Sequence, residues 1–160
     1  ENSPVTFSNI YAKQKLDAEQ INIDGVNFRI GKLFGHPQVN KQQKLTEYIL
    51  NNPTIKVDNI TFNPTSLFQV LEVIKYELTE NCLKGVYNLS NKGLTTHYEY
   101  ATFINQQLGS TKVIQLVDSY YSFPNYGKFS MSCKKLEKFV KLRSWKKDMI
   151  NYINLIKQNI

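Results

Sequence analysis

Apolar and polar residues follow each other along this chain in two alternating periods, and the blocks they form predict a mixed α/β order. Ser8 or Asn9 can cap a first helix, in which Ile10, Leu16, Ala18 and Ile21 supply the apolar side while Tyr11 and Lys15 take another. Val26 to Phe34 (VNFRIGKLF) reads as a strand running into a loop closed by Gly35. Val39 to Asn51 carries an imperfect helical stripe of Val39, Leu45, Tyr48, Ile49 and Leu50, ended by Pro53. Two short extended pieces follow, Ile55 to Val57 and Ile60 to Phe62, on either side of the turn-forming Asp58-Asn59. Leu67, Phe68, Val70, Leu71, Ile74 and Leu78 then recur at helical spacing through Glu80, with Thr65 or Ser66 as the cap.

The second half repeats the alternation. Gly85 to Ser90 is a short β-rich run, Lys92-Gly93 a turn, and Thr95 to Leu108 a helix stopped by Gly109. Tyr100, Ala101, Phe103, Ile104 and Leu108 form its buried side. Val113 to Val117 is a further strand, Asp118 to Asn125 (DSYYSFPN) an aromatic loop, and Trp145 to Ile156 an amphipathic helix. That helix is read with Trp145, Met149, Ile150, Ile153 and Ile156 facing inward, as core packing without chemistry.

Composition narrows the class. With 160 residues, 41% apolar and 21% charged, the chain has enough material for one domain with its own core. It holds no run of eighteen apolar residues and no signal-peptide pattern, so a cytoplasmic protein without a membrane partner is expected. It starts at Glu1 without a Met, which predicts a fragment or a processed product. Cys82 and Cys133 lack local partners and are read as reduced thiols, while the isolated His36 and His97 are read as loop or surface residues. No metal site is expected. The net charge of +7 is concentrated late, in Lys128, Lys134, Lys135, Lys138, Lys141, Arg143, Lys146 and Lys147, a patch that attracts phosphates.

The candidate chemistry lies at the start. Tyr11 and Lys15 are four residues apart on the first helix and therefore share a face. A cation beside a phenol favours the ionised phenol, and such a pair can pass a proton to or from a carbonyl oxygen. The surrounding residues, Pro4 followed by SNIYAKQKLDAE and then FRIGKLFG, resemble the extended short-chain dehydrogenases, and within them the dTDP-4-dehydrorhamnose reductase group. A second stretch, GVYNLSNKGLTTHYEYA, resembles another segment of that group, with Glu99 and Ala101 in register.

The resemblance implies an α/β fold: the C-terminal portion of a Rossmann-like enzyme, with residues 1–35 closing the nucleotide-binding core and 36–160 forming the substrate-binding region. It implies that Tyr11 is the general acid that protonates a keto oxygen and that Lys15 tunes Tyr11 and holds a nicotinamide ribose. Ile30 and Gly31 would lie beside the NADP or NAD cofactor. Lys32, Phe34, Pro64, Thr65, Asn125 and Lys128 would bind the nucleotide-sugar substrate. Two positions depart from the group's pattern: Lys32 stands where a Trp is usual, and approximately Asn125-Tyr126 where an Arg-Pro is usual. Lys128 can replace that arginine as a point charge, not as a bidentate fork.

Dinucleotide binding in such folds needs a glycine-rich turn after the first strand, and none of the seven glycines falls into that spacing. The expected partners are therefore a nucleotide-sugar and an N-terminal Rossmann half, supplied in cis or in trans, with a second copy of the chain as a further candidate. Three functions stay open. The favoured one is part of an NADP-dependent nucleotide-sugar oxidoreductase that reduces a 4-keto-6-deoxy sugar; the next is an inactive binding or regulatory subunit of the same fold. The least favoured is nucleic-acid binding through the basic patch and the aromatic residues Tyr120, Tyr121 and Phe123.

Overall fold

The structure, a computed structural model, describes residues 10–22, 24–35, 44–118 and 128–158. Helix α1 (Ile10–Ile21) leads into strands β1 (Val26–Ile30) and β2 (Lys32–Phe34), and helix α2 (Lys44–Asn51) precedes β3 (Thr54–Val57), β4 (Thr61–Phe62) and β5 (Pro64–Ser66). Helix α3 (Leu67–Glu80), β6 (Gly85–Leu89), β7 (Thr95–Thr96), helix α4 (His97–Leu108) and β8 (Val113–Leu116) follow. Strand β9 (Lys128–Phe129), a short 3-10 turn at Leu136–Lys138 and helix α5 (Trp145–Gln158) complete the order. The expected cap at Ser8 or Asn9, Val39, His36 and the aromatic loop beyond Asp118 lie outside the described residues.

Parallel pairing dominates. β1 pairs with β6, β2 with β5, and β3 with β8, all parallel, while β4 lies between antiparallel β7 and parallel β9. Parallel partners require crossover connections, which is why helices separate the strands that meet. The strand expected to run into a loop before Gly35 ends at Ile30, and where the loop was expected a second strand, β2, follows Gly31, where the chain changes partner from β6 to β5. A Cβ at Gly31 would lie 2.4 Å from the Asn63 carbonyl oxygen and 2.8 Å from the Thr65 hydroxyl, so the crossing needs glycine.

Two apolar clusters hold the elements. One gathers Phe34, Ile49, Ile55, Tyr100, Ile104, Trp145, Met149 and Ile153 between α2, α4, α5 and the β2 and β3 strands. The other gathers Val70, Val73, Leu83, Tyr87, Leu89, Leu136 and Leu142 between α3, β6 and the segment before α5. Helix α4 buries Tyr100, Ala101 and Ile104, and Thr96 and Glu99 close a reciprocal capping box at its start. Gly109 ends it at φ 64°, a conformation that favours glycine.

Two helices turn differently from the sequence reading. On α3 the buried residues are Gln69, Val70 and Val73, whereas Leu71, Ile74 and Leu78 are exposed. The polar Gln69 goes inward because its side-chain oxygen accepts the Arg143 backbone N–H at 2.7 Å. On α5, Ile150 faces outward, and Asp148 and Tyr152 are buried beside Trp145, Met149 and Ile153. Asp148 is drawn in by charge and hydrogen bonding: it accepts from the Ser66 hydroxyl, from Asn91 Nδ2 at 2.8 Å, and pairs with Arg143 Nε at 3.0 Å. A buried carboxylate is tolerable when it is paired and hydrogen-bonded in this way.

Candidate functional site

The crossing at Gly31 places Ile30 and Lys32 on either side of a strand end, and both are exposed. In open parallel sheets, ligands collect beyond the carboxyl ends of strands where the chain changes direction in the sheet. The Lys32 amine reaches the imidazole of His97, the first residue of α4, with Nζ 2.6 Å from Nε2. On the other side of that ring, Nδ1 lies 2.6 Å from Oδ1 of Asp58. A carboxylate accepts only, so Nδ1 carries the proton and Nε2 accepts from Lys32. Asp58 is itself fixed by the Ile60 backbone N–H at 3.0 Å. The ring of Phe62 forms the floor, 4.9 Å from the imidazole centre and 5.3 Å from the Lys32 nitrogen.

The electrostatics keep this line in one protonation pattern. Burial first, then the Lys32 charge, hold the His97 pKa below its ordinary value, and the hydrogen bond and charge of Asp58 oppose them. Burial likewise lowers the Lys32 pKa against the attraction of Asp58. His97, expected as an isolated loop or surface residue, is instead the middle of a three-residue line. Sequence separation hid it, since Lys32, Asp58 and His97 meet only when β2, the turn before β4 and the start of α4 converge.

Tyr11 and Lys15 share a face of α1 as their spacing predicts, with the Lys15 nitrogen 5.5 Å from the centre of the Tyr11 ring. Tyr11 is 68% exposed and α1 has no buried residue; its Glu19 forms a two-pronged ion pair with Arg29 of β1 at 2.8 and 2.7 Å. The face that carries the pair is thus open to solvent. Phe34, Pro64 and Thr65 lie in the interior instead of facing a ligand. Phe34 packs on Tyr100 and Tyr152, and the Thr65 hydroxyl donates to the Leu89 carbonyl at 3.4 Å. Asn125 lies outside the described residues, and of Lys128 the backbone alone is described, opposite Thr61 in β9.

Part of the basic patch is used internally. Lys135 donates to the Val86 carbonyl at 2.7 Å and lies over the Tyr87 ring, and Arg143 pairs with Glu72 and the buried Asp148. Among the described residues, no cluster of His, Cys, Asp or Glu is gathered to hold a metal ion, and no helix is long and apolar enough to cross a membrane. Cys82 and Cys133 form no disulfide; Cys82 is exposed, and the buried Cys133 has its Sγ 3.2 Å from Ser90 Oγ.

The mixed α/β arrangement with parallel strands is shared with the solved structures on which the chain superimposes. Over 98% of its length the chain superimposes on 59% of a dTDP-4-dehydrorhamnose reductase from Clostridium acetobutylicum, with TM-score 0.79 and 21% identity. The chain belongs to the RmlD substrate binding domain family, whose profile matches residues 1–158. The corresponding reductase from Bacillus anthracis, solved with NADP, gives TM-score 0.76 at 22% identity, covering 97% of this chain and 58% of that one. The enzyme RMD from Pseudomonas aeruginosa, solved with NADPH, gives 0.77 at 13% identity, covering 100% of this chain and 60% of that one. The chain therefore spans less than two thirds of the length of these structures. No curated protein matches it.

Proposed function

We propose that this chain forms the substrate-binding part, with the Tyr–Lys pair, of an NADP-dependent nucleotide-sugar oxidoreductase of the dTDP-4-dehydrorhamnose reductase kind. The observation that carries the reading is the Tyr11–Lys15 pair, side by side on the open face of α1 in a chain of this family.

An exposed phenol with an ammonium 5.5 Å from its ring centre fits a ribose and a carbonyl presented from above α1. In this reading Lys15 holds the nicotinamide ribose, and Ile30 and Gly31 border the same space. The cofactor, when bound, supplies hydride chemistry to the site. The Tyr11 hydroxyl delivers the proton to the substrate's keto oxygen, and Lys15 stabilises the phenol oxygen as that proton leaves. Lys32 meets the substrate; Phe34, Pro64 and Thr65 hold the crossing behind it, and Asn125 and Lys128 belong to the same substrate region. The division at residue 35 is one of function, since β1 and β6 pair across it. A separate Rossmann half, in cis or in trans, completes the enzyme.

The test is Tyr11→Phe in the enzyme that contains the glycine-rich half. Turnover of a 4-keto-6-deoxy nucleotide-sugar should fall by about 10²–10⁴-fold, the usual worth of a positioned acid, while NADP still binds. Unchanged turnover would reject the role of Tyr11.

A further inference from the structure

Lys32 is held in a manner unlike the cations that pair elsewhere on the described surface. Arg29 meets Glu19, Lys92 meets Glu137 and Arg143 meets Glu72 and Asp148, so each of those charges is matched by a carboxylate in direct contact. Lys32 meets a neutral imidazole instead. The nearby carboxylate, Asp58, is turned to His97 Nδ1 and the Ile60 N–H. An ammonium has three N–H donors. One is directed at His97, the Phe62 ring lies on one side, and the residue remains exposed.

We propose that Lys32 is an oxyanion-binding residue of the substrate site and that His97 and Asp58 are the residues that position it; the proposal rests on the nucleotide-sugar reading above. The arrangement orients the cation without neutralising it. Asp58 fixes the tautomer of His97, His97 fixes the direction of the amine, and the rotamer entropy of a long lysine is lost before a ligand arrives instead of on binding. Lys32 stands directly after the Gly31 crossing, at the carboxyl end of β1, where ligands of parallel sheets collect. A compact ammonium there suits an oxyanion. Two parts of a nucleotide-sugar can supply one: the diphosphate, or a carboxylate carried by the sugar itself.

Calorimetric titration of the enzyme that contains the glycine-rich half with dTDP, dTDP-glucose and dTDP-glucuronate, and with the uridine counterparts, separates these sources. The variants are Lys32→Met, Lys32→Gln, His97→Ala and His97→Gln, each checked for an unchanged folded spectrum. Loss of the Lys32 charge should weaken binding by about tenfold or more, the scale of one charge-assisted hydrogen bond. An equal loss for all probes assigns the oxyanion to the diphosphate, and a loss confined to the glucuronates assigns it to the sugar. His97→Ala should reproduce most of the loss, and His97→Gln, which keeps an acceptor, should recover part of it. That recovery would not follow from a merely structural role.

Wild-type affinities in both Lys32 variants would overturn the proposal and leave the nucleotide-sugar reading standing. A loss in Lys32→Met with none in His97→Ala would overturn the positioning role. Failure of the wild-type protein to bind any of the six probes would overturn the nucleotide-sugar reading, and this proposal with it.

Discussion

Tyr100 shows how a single polar atom is paid for inside this core. Its ring is almost completely buried against Phe34, Phe62 and Trp145, and its hydroxyl meets Thr46 Oγ1 at 3.0 Å. Burial drives its pKa well above the ordinary tyrosine range, against the opposing effect of the Thr46 hydrogen bond. The unfolded chain ionises this tyrosine near pH ~10, while the folded chain keeps the proton. The folded state then binds more protons, so its stability is whole below that pH and falls as pH rises above it. Tyr100→Phe should cost about 1 kcal/mol at neutral pH through the lost hydrogen bond, yet lose less stability than wild type on going to pH 10.5. Urea unfolding at the two pH values reads both effects. Parallel losses in the two proteins would refute this account of Tyr100.

Elements in this fold are joined at their ends as much as along their faces. The start of α3, the residues after β6 and the first turn of α5 converge on Asp148, which accepts from Ser66 and Asn91 and pairs with Arg143. Ser66 also caps α3, accepting the Gln69 N–H at 3.0 Å, so one hydroxyl serves both its own helix and the junction. Asp148→Ala leaves Ser66 and Asn91 without their buried acceptor and Arg143 with Glu72 as its remaining ion partner, and should destabilise by about 1–3 kcal/mol. The double variant Asp148→Leu with Arg143→Met removes both charges and should cost clearly less than the sum of its two single changes. Additive losses in denaturant titrations would show that the pair is not coupled. No local pattern points to this junction, because Asp148 occupies an otherwise lysine-rich stretch and its partners lie as far away as Ser66.

For the molecule as a whole, packing is distributed unevenly. Helix α4 buries three residues and is capped at both ends, whereas α1 buries none. Helix stability in proteins comes mainly from packing of an apolar face, so α1 rests on weak local terms and on contacts such as the Glu19–Arg29 ion pair. In this chain the backbone amides of α1 should exchange at least about tenfold faster than those of α4 under native conditions. Hydrogen-exchange mass spectrometry resolves the two helices, and equal protection would mean that α1 has a packing partner in this chain. The open face is the one that bears Tyr11 and Lys15, in keeping with a pair that works against chain and cofactor presented from outside it.

Local order was readable from residues next to one another: the cap at Ser66, the stop at Gly109, strands β1, β3, β4, β6 and β8, and the Tyr–Lys spacing each follow from steric and hydrogen-bonding rules within a few positions. Periodicity misjudged α3 and α5, where Leu71 and Ile150 turn outward and Gln69 and Asp148 inward. Period alone counts apolar residues and cannot see that a distant Arg143 will satisfy a polar one. The sequence by itself determined the order of elements and the family resemblance. The break at Gly31, the burial of Phe34, Pro64 and Thr65, and the meeting of Lys32, His97 and Asp58 were decided by tertiary structure alone. Each depends on strands and helix ends brought together by crossover connections, over separations at which no local rule acts.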